Sequence, residues 1–201
     1  MLDRINKFFQ RKKLQDQGNL GRLIAADRHA LTPDKMSADA LRVVKTLHRA
    51  GFEAYIVGGG VRDLLLDLKP KDFDVATNAE PDEIKPLFRR ARIIGRRFQI
   101  VHVQYSREII EVTTFRSNQQ SQQTNGTRRQ TNTGMLTRDN VFGTLSDDAS
   151  RRDLSINALY YNPSDNSLRD FSDGLSDIKK RLVRIMGDPA TRFREDPVRL
   201  L

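Results

Sequence analysis

The sequence predicts an α/β fold of the α+β type, in which a mixed, mainly antiparallel sheet is backed by helices. Two β-prone runs, residues 98–105 and 109–115, are joined by the tight turn Ser106-Arg107, and this turn makes them an antiparallel hairpin. A shorter run over residues 72–76 alternates polar and apolar side chains, as a half-buried strand does. Residues 37–51 carry an apolar stripe at helical spacing, so we expect a helix against the sheet.

Composition limits the classes of protein to which the chain can belong. Its 201 residues include 37% hydrophobic residues and no cysteine, and the formal net charge is +9 at pH 7. The positive charge attracts polyanions and favours RNA as a partner, although a solvated basic surface would give the same count. The lack of cysteine excludes disulfides and thiolate zinc sites, which is compatible with a cytoplasmic location. No apolar run approaches the length of a membrane span, so no stable membrane insertion is expected.

The N-terminal part predicts an extension followed by a helix. Residues 1–36 mix basic residues with a weak apolar stripe and predict a flexible basic extension. Ser37 is a suitable N-cap, and Asp39 favours the first turn of the helix that follows. We therefore expect a folded domain over residues 37–186, with residues 187–201 forming the start of a second, helical region. The apolar residues of the predicted helix are Ala40, Leu41, Val43, Val44 and Leu47.

A glycine run follows the first predicted strand, Tyr55-Ile56-Val57. Gly58-Gly59-Gly60 lets the backbone turn sharply and approach a ligand closely, and residues 61–66 read as a short helix. A strand, a glycine turn and a helix N-terminus leave unpaired N–H groups that suit a phosphate. Both the dinucleotide-binding spacing and a Walker-type loop are excluded, because Val61-Arg62 follows the glycines and no Lys-Ser/Thr pair does.

Two aspartates follow within the same stretch. In the predicted strand that contains Asp72 and Asp74, side chains two apart face the same side. Two carboxylates about 4 Å apart repel by roughly 4 kcal/mol at an effective dielectric near 20, so a cation between them is favoured. Mg²⁺ takes oxygen ligands and is commonly completed by substrate phosphates. A solvated strand end and a plain turn would explain each motif alone; their proximity favours a shared nucleotide site.

The remaining elements follow in order along the chain. A helix is expected from Pro81, with Pro86 kinking or interrupting it. Glu111 lies on the second strand of the hairpin and is a candidate third acid. Residues 117–139 are polar and rich in Gln, Asn and Thr, and predict a mobile loop. Further elements are expected as a helix over 149–161, a strand over 168–171, a helix over 177–181 and a strand over 182–186.

Arg152 is suited to a forked contact with triphosphate oxygens. Asp153 and Asn157 are four residues apart and would share a face of the helix predicted over 149–161, where Asp153 could bind a ribose hydroxyl or join the acidic cluster. A surface ion pair is the alternative interpretation of these side chains.

Asp196 and Arg199 are three apart in a last predicted helix, over 190–201. An Asp acceptor beside an Arg donor matches the amino group and ring nitrogen that adenine and cytosine both present. Guanine and uracil would leave both groups unpaired, at about 1 to 3 kcal/mol each. The pair can therefore select A and C without separating them.

These motifs resemble, in order, those of the class II tRNA nucleotidyltransferase and bacterial poly(A) polymerase family, over roughly residue 37 to the last residue. Within that family, residues 93–102 are similar to the stretch that distinguishes the bacterial poly(A) polymerases from CCA-adding enzymes. Family members continue through further helical domains, so the chain is expected to be the truncated head of a longer enzyme. The stretches that carry the resemblance are GGGVRD (58–63), KDFD (71–74), EVTTFR (111–116), RRDLSIN (151–157) and EDPVR (195–199).

The resemblance implies a nucleotidyltransferase head that adds AMP from ATP to RNA 3′ ends without a template, with two Mg²⁺ ions on Asp72 and Asp74. It implies that Glu111 or Asp153 is the third acid. The residues that it assigns to the nucleotide are Gly58, Gly59, Arg62, Asp63, Arg152, Asn157, Asp196 and Arg199. The alternatives are a CCA-adding or A-adding tRNA enzyme, and a non-catalytic RNA-binding module.

Overall fold

A computed structural model describes residues 21–95, 98–106, 108–117, 129–130, 136–138 and 142–195. The strands in these ranges are β1 (Arg22–Ile24), β2 (Ala54–Val57), β3 (Asp74–Thr77), β4 (Ala91–Ile94), β5 (Ile100–Gln104), β6 (Ile109–Thr114), β7 (Arg129–Gln130), β8 (Leu136–Arg138), β9 (Leu159–Asn162) and β10 (Ser167–Asp170). The α-helices are α1 (Ala38–Arg49), α2 (Gly59–Leu65), α3 (Pro81–Ile84), α4 (Leu145–Arg151), α5 (Gly174–Lys180) and α6 (Pro189–Glu195). Short 3₁₀ turns are Ala26–Arg28, Pro33–Lys35, Lys85–Leu87 and Ser155–Asn157.

Eight strands form one sheet in the order β1-β10-β9-β2-β3-β6-β5-β4, and β7 pairs only with β8. The β3–β6 pair is parallel and the other pairs of the large sheet are antiparallel. The predicted mixed, mainly antiparallel sheet is confirmed. The predicted hairpin of β5 and β6 is also observed, and the backbone N–H of Tyr105 donates to the carbonyl of Glu108.

One face of the sheet is covered by α1 and α2. The Ser37 hydroxyl caps α1 by accepting from the backbone N–H groups of Asp39 and Ala40. Val43 and Leu47 of α1 are fully buried, and burying such a side chain contributes about 1.5 to 3 kcal/mol. Strand residues of the same core are Ala54, Ile56, Val75, Val101, Val103, Ile110, Val112, Leu159, Tyr161 and Leu168.

Among the residues that the structure describes, the opposite face is covered over only part of its width. Alternate strand residues point to it, and α4 packs there through Leu145 and Ala149. The strand residues in this second cluster include Tyr55, Val57 and Tyr160. Arg92, Glu111 and Gln104 of β4, β6 and β5 are exposed, so that part of the sheet is accessible from the side of the acids.

Several predicted elements differ from those observed. Residues 149–161 are not one helix, because α4 ends at Arg151 and β9 begins at Leu159. Residues 182–186 are not a strand and form only the isolated bridge between Leu154 and Ile185. The expected break at Pro86 is confirmed, since α3 ends at Ile84 and a 3₁₀ turn follows.

The predicted flexible extension over residues 1–36 is wrong for residues 21–36. Strand β1 pairs with β10 at one edge of the sheet, and Leu31 is 1% exposed, so this part belongs to the folded domain. Residues 1–20 lie outside the described residues. Mobility of residues 117–139 stays a prediction. Within this segment the structure describes only Ser117 and the strands β7 and β8. None of the described helices is long and apolar enough to cross a membrane.

Candidate active site

The glycine turn brings the backbone into a narrow gap between an acid and a base. Gly58 follows β2 with φ +73°, a left-handed conformation that favours glycine. A Cβ at this position would lie 3.5 Å from Asp74 Oδ2 and 3.6 Å from Arg152 Nη1. At Gly60 a Cβ would lie 3.0 Å from the carbonyl oxygen of Asp72. Gly58 itself adds no side-chain atom to the gap beside these two groups, which suits the close approach of a phosphate.

The acids meet at the start of β3. Asp74 is its first residue and pairs in parallel register with Glu111 of β6, while Asp72 lies two residues before the strand. Burial raises the pKa of Asp74 to about 6, and the charges of Glu111 and Asp72 add to this effect while Arg152 opposes it. Negative charge is thus concentrated here beyond what Arg152 compensates, which is the electrostatic condition that a bound cation relieves.

The donor set fits Mg²⁺ better than a metal held by protein ligands alone. In the part of the chain that the structure describes, no group of three or more His, Asp or Glu side chains is arranged to hold a metal ion. Mg²⁺ is commonly held by one or two carboxylates, with water and substrate phosphates completing the octahedron. Asp72 and Asp74 beside the gap at Gly58 match this pattern, and they are the residues that would hold the ion.

Arg152 is held rigidly beside the same gap. Its Nε donates to the Tyr160 hydroxyl at 2.9 Å and its Nη2 to Asp148 Oδ2 at 3.3 Å. The Tyr160 hydroxyl in turn donates to Asp148 Oδ2 at 2.7 Å. Burial disfavours the charged form of Arg152, but Tyr160 and Asp148 outweigh it and raise its pKa above the ordinary value. Nη1 makes only a long contact of 3.5 Å, to the carbonyl of Asn157, and faces Gly58.

A second chain of hydrogen bonds joins the other predicted nucleotide residues. Arg62 donates from Nε and Nη2 to Asp63 Oδ1 at 2.9 and 2.7 Å, and from Nη1 to Asn157 Oδ1 at 2.9 Å. Asn157 Nδ2 donates to Asp153 Oδ1 at 3.2 Å. The structure therefore brings together Arg62, Asp63, Asp153 and Asn157, across the 3₁₀ turn and not along one helix as expected. Asp153 is engaged by Asn157, whereas the charge of Glu111 acts on Asp74.

Two predicted residues, Asp196 and Arg199, lie outside the described residues. Conversely, sequence reasoning missed the partners of Arg152. Asp148 precedes Arg152 by four residues, a spacing at which side chains on a helix meet, and this signal could have found it. Tyr160 carried no such signal because its position depends on the pairing of Tyr160 with Val57 across β9 and β2.

The family model described as the poly(A) polymerase head domain matches residues 54–184. The chain is 54% identical to poly(A) polymerase I of Haemophilus influenzae over 180 residues, which are 89% of this chain and 40% of that protein. It is 40% identical to the CCA-adding enzyme of Lactobacillus helveticus over 162 residues, 81% of this chain and 38% of that protein.

Solved structures agree on the fold. The Bacillus stearothermophilus CCA-adding enzyme in complex with CTP superposes with a TM-score of 0.66 at 31% identity, covering 82% of this chain and 38% of that one. The chain thus spans about 40% of the length of the curated relatives that it matches. Because the family model matches residues 54–184, the chain belongs to the poly(A) polymerase head-domain family.

Proposed function

We propose that the protein adds AMP from ATP to RNA 3′ ends without a template and releases pyrophosphate. The observation that carries the proposal is the gap at Gly58, which has the Asp74 carboxylate on one side and the Arg152 guanidinium on the other. The relatives named poly(A) polymerase I are 49 to 54% identical to this chain, against 40 to 41% for those named CCA-adding enzyme. This difference favours polyadenylation over CCA addition.

The chain's own residues divide the work of the transfer. Arg152 offers Nη1 to the triphosphate, since its other nitrogens are taken by Tyr160 and Asp148. Asp63 accepts from Arg62, and Arg62 in turn donates to Asn157, which would contact the ribose or the triphosphate. Gly58 and Gly59 let the phosphates approach the backbone.

The acids provide the metal site of the proposal. Two Mg²⁺ ions held by Asp72 and Asp74 would activate the attacking 3′-hydroxyl and neutralise the leaving pyrophosphate. Glu111 serves as the third acid, because its charge reaches Asp74 while Asp153 is bonded to Asn157. Asp196 and Arg199 would select the base through the edge shared by adenine and cytosine. A cytoplasmic location is part of the same proposal.

The acid pair gives a direct prediction. In the full-length protein, Asp72→Ala and Asp74→Ala should each abolish incorporation, because neither remaining carboxylate can hold the ions alone, and should leave the circular dichroism spectrum unchanged. The matched control is Asp82→Ala, an exposed carboxylate on α3 that should incorporate at the wild-type rate. Appreciable turnover by either site variant would refute the metal assignment.

The function itself is tested by nucleotide and primer choice. Each of the four labelled nucleoside triphosphates is offered with Mg²⁺ to a generic oligo(A) primer and to a tRNA lacking its 3′ end. Long tails made of A alone on the generic primer are expected. Addition of C and then A, limited to the tRNA, would instead establish a CCA-adding enzyme.

A CCA-adding enzyme is the second candidate because its relatives share the fold, with a TM-score of 0.66 to the CTP complex. An RNA-binding module without catalysis is disfavoured by the clustered acids, since carboxylates repel the RNA backbone. Mg²⁺-independent RNA binding with no incorporation would establish that alternative.

A further inference from the structure

Four neighbouring strands place polar side chains in one row beside the metal site. Asp74 of β3 pairs with Glu111 of β6, Glu111 pairs with His102 of β5, and His102 pairs with Arg92 of β4. Directly paired residues lie on the same face of a sheet, and neighbouring strands are about 4.8 Å apart. His102 is therefore the next side chain beyond Glu111, on the side away from Asp74.

The His102 ring is directed at the Glu111 carboxylate. Its Nε2 lies 3.4 Å from Glu111 Oε1. The same nitrogen is buried and has no hydrogen-bond partner among the described residues, although the side chain as a whole is 28% exposed. An unpaired buried nitrogen is costly, and a nearby carboxylate is the acceptor that would satisfy it. Hydrogen bonds in catalytic sites are often long without substrate and shorten in the reacting complex.

Glu111 has little else to fix its direction. Its side chain is 49% exposed, and no hydrogen bond to its carboxylate occurs among the residues that the structure describes. A glutamate on a sheet surface has several staggered rotamers of similar energy, and only some of them bring the carboxylate beside Asp74. A contact that holds Glu111 in one of these rotamers lowers the entropic cost of assembling the site.

We propose that His102 is a positioning residue for Glu111, with its Nε2–H donating to the carboxylate and holding it beside Asp74. The neutral ring with the proton on Nε2 is sufficient for this role. The proposal rests on the proposed function, because it takes Glu111 as the third acid of the nucleotidyl transfer. It assigns a role to the histidine of β5 that the acid pair and the glycine turn do not fill.

A pair of matched substitutions tests the proposal. In His102→Gln the side-chain amide reaches the place of Nε2, whereas in His102→Asn it reaches only the place of Nδ1. Both remain polar and fit the sheet, so a purely structural role predicts similar effects. We expect His102→Asn to lower kcat about 10- to 100-fold with little change in the KM for ATP, and His102→Gln to stay within about threefold of wild type.

A second measurement does not depend on turnover. Mn²⁺ affinity is measured by electron paramagnetic resonance in the full-length protein with α,β-methylene-ATP, which cannot be incorporated. His102→Asn should weaken Mn²⁺ binding about tenfold, and His102→Gln should not. In a Glu111→Gln background, His102→Asn should have no further effect, because the residue through which it acts has lost its charge.

The outcomes separate this proposal from the function on which it rests. Equal Mn²⁺ affinity in the two histidine variants, or an undiminished effect of His102→Asn in the Glu111→Gln background, would overturn the role of His102. Absence of incorporation by the wild type would overturn the proposed function, while the Mn²⁺ measurements would still decide the role of His102.

Discussion

The Tyr160 hydroxyl links Arg152, the residue proposed to contact the triphosphate, to the Asp148 carboxylate. Its hydroxyl accepts from Arg152 Nε at 2.9 Å and donates to Asp148 Oδ2 at 2.7 Å, and the side chain is fully buried. Arg152 also lies over the Tyr160 ring, with 5.0 Å from Cζ to the ring centroid. One hydroxyl therefore fixes the direction of the guanidinium, and its removal should affect binding of the nucleotide as well as stability.

Tyr160→Phe is predicted to raise the KM for ATP about tenfold and to lower the free energy of unfolding by about 1 to 3 kcal/mol, because it leaves Arg152 Nε without its partner and removes one of the hydrogen bonds to Asp148. The control is the adjacent Tyr161→Phe on the other face, whose hydroxyl donates to Asn166 Oδ1 at 2.8 Å. That variant should lose stability without a change in KM. Steady-state kinetics and urea unfolding measure both quantities, and an unchanged KM in Tyr160→Phe would contradict the role of Arg152.

The raised pKa of Asp74 predicts the pH dependence of the metal-free protein. Its pKa is about 6 in the fold against an ordinary value of 3.8, so the folded state binds more protons than the unfolded state between these values. The free energy of unfolding should therefore fall as pH rises from about 4 to about 6 and stay lower above, by at most about 3 kcal/mol.

Asp74→Asn should remove that dependence and stabilise the metal-free protein at pH 7. Urea unfolding in EDTA at pH 5 and pH 7 measures it, with the exposed Asp82→Asn as a control that should show no such gain. Mg²⁺ should reverse the order by stabilising the wild type more than the variant. If Asp74→Asn unfolds at the same urea concentration as wild type at both pH values, the charge at Asp74 is not destabilising.

At the scale of elements, local patterns predicted what depends on neighbours in sequence. A two-residue turn at Ser106-Arg107, predicted from the sequence, implies residue 105 opposite 108 and His102 opposite Glu111, and β5 and β6 have this register. The single helix predicted over residues 149–161 was wrong because β9 is stabilised by pairing with β10 and β2. This long-range pairing overrides the local helical preference. Tyr160, one of the two side-chain partners of Arg152, could not be predicted for the same reason. The parallel pairing of β3 with β6 likewise has no local signal.

The segment from Arg184 to Met186 is attached to the 3₁₀ turn by a buried carboxylate. Asp177 of α5 is 1% exposed and accepts from the Ser155 hydroxyl at 2.6 Å and from Nε and Nη2 of Arg184 at 3.0 Å each. The backbone N–H of Ser155 donates to the carbonyl of Arg184 at 3.0 Å, and that of Met186 donates to the carbonyl of Asp153 at 2.8 Å. These hydrogen bonds hold residues 184–186, which lead to α6, against the 3₁₀ turn that ends at Asn157.

Asp177→Asn is expected to lower the free energy of unfolding by about 1 to 3 kcal/mol, since an amide nitrogen replaces one of the two accepting oxygens and the negative charge beside Arg184 is lost. Asp173→Asn is the control, because that side chain is 72% exposed at the start of the same helix. It should unfold close to wild type in urea. Equal stability of the two variants would mean that the hydrogen bonds of Asp177 contribute nothing to the free energy of unfolding.

At the scale of the whole molecule, a net charge of +9 surrounds a site made of acids. RNA should therefore be attracted to the domain as a whole and repelled locally at Asp72 and Asp74. Affinity for a labelled oligo(A), measured by fluorescence anisotropy, should fall more than about tenfold between about 50 and 200 mM salt if three or more phosphates are contacted.

The local repulsion gives the control for that measurement. Without Mg²⁺, the double variant Asp72→Asn/Asp74→Asn should bind the oligonucleotide more tightly than wild type, whereas Asp82→Asn should bind like wild type. Salt-independent binding would show that contacts other than phosphate neutralisation hold the RNA.

The place of β2 in the sheet has a consequence for protein synthesis. One edge of β2 pairs with β3 soon after it is made, but the other pairs with β9, where Ile56 lies opposite Tyr161. At about 5 to 20 residues per second, the ribosome needs on the order of 5 to 20 s to reach that partner. Throughout this interval the nascent chain presents a bare, apolar strand edge that chaperones can shield. The candidate site can therefore be complete only once Tyr160, which holds Arg152 in place, has been translated and has left the ribosome.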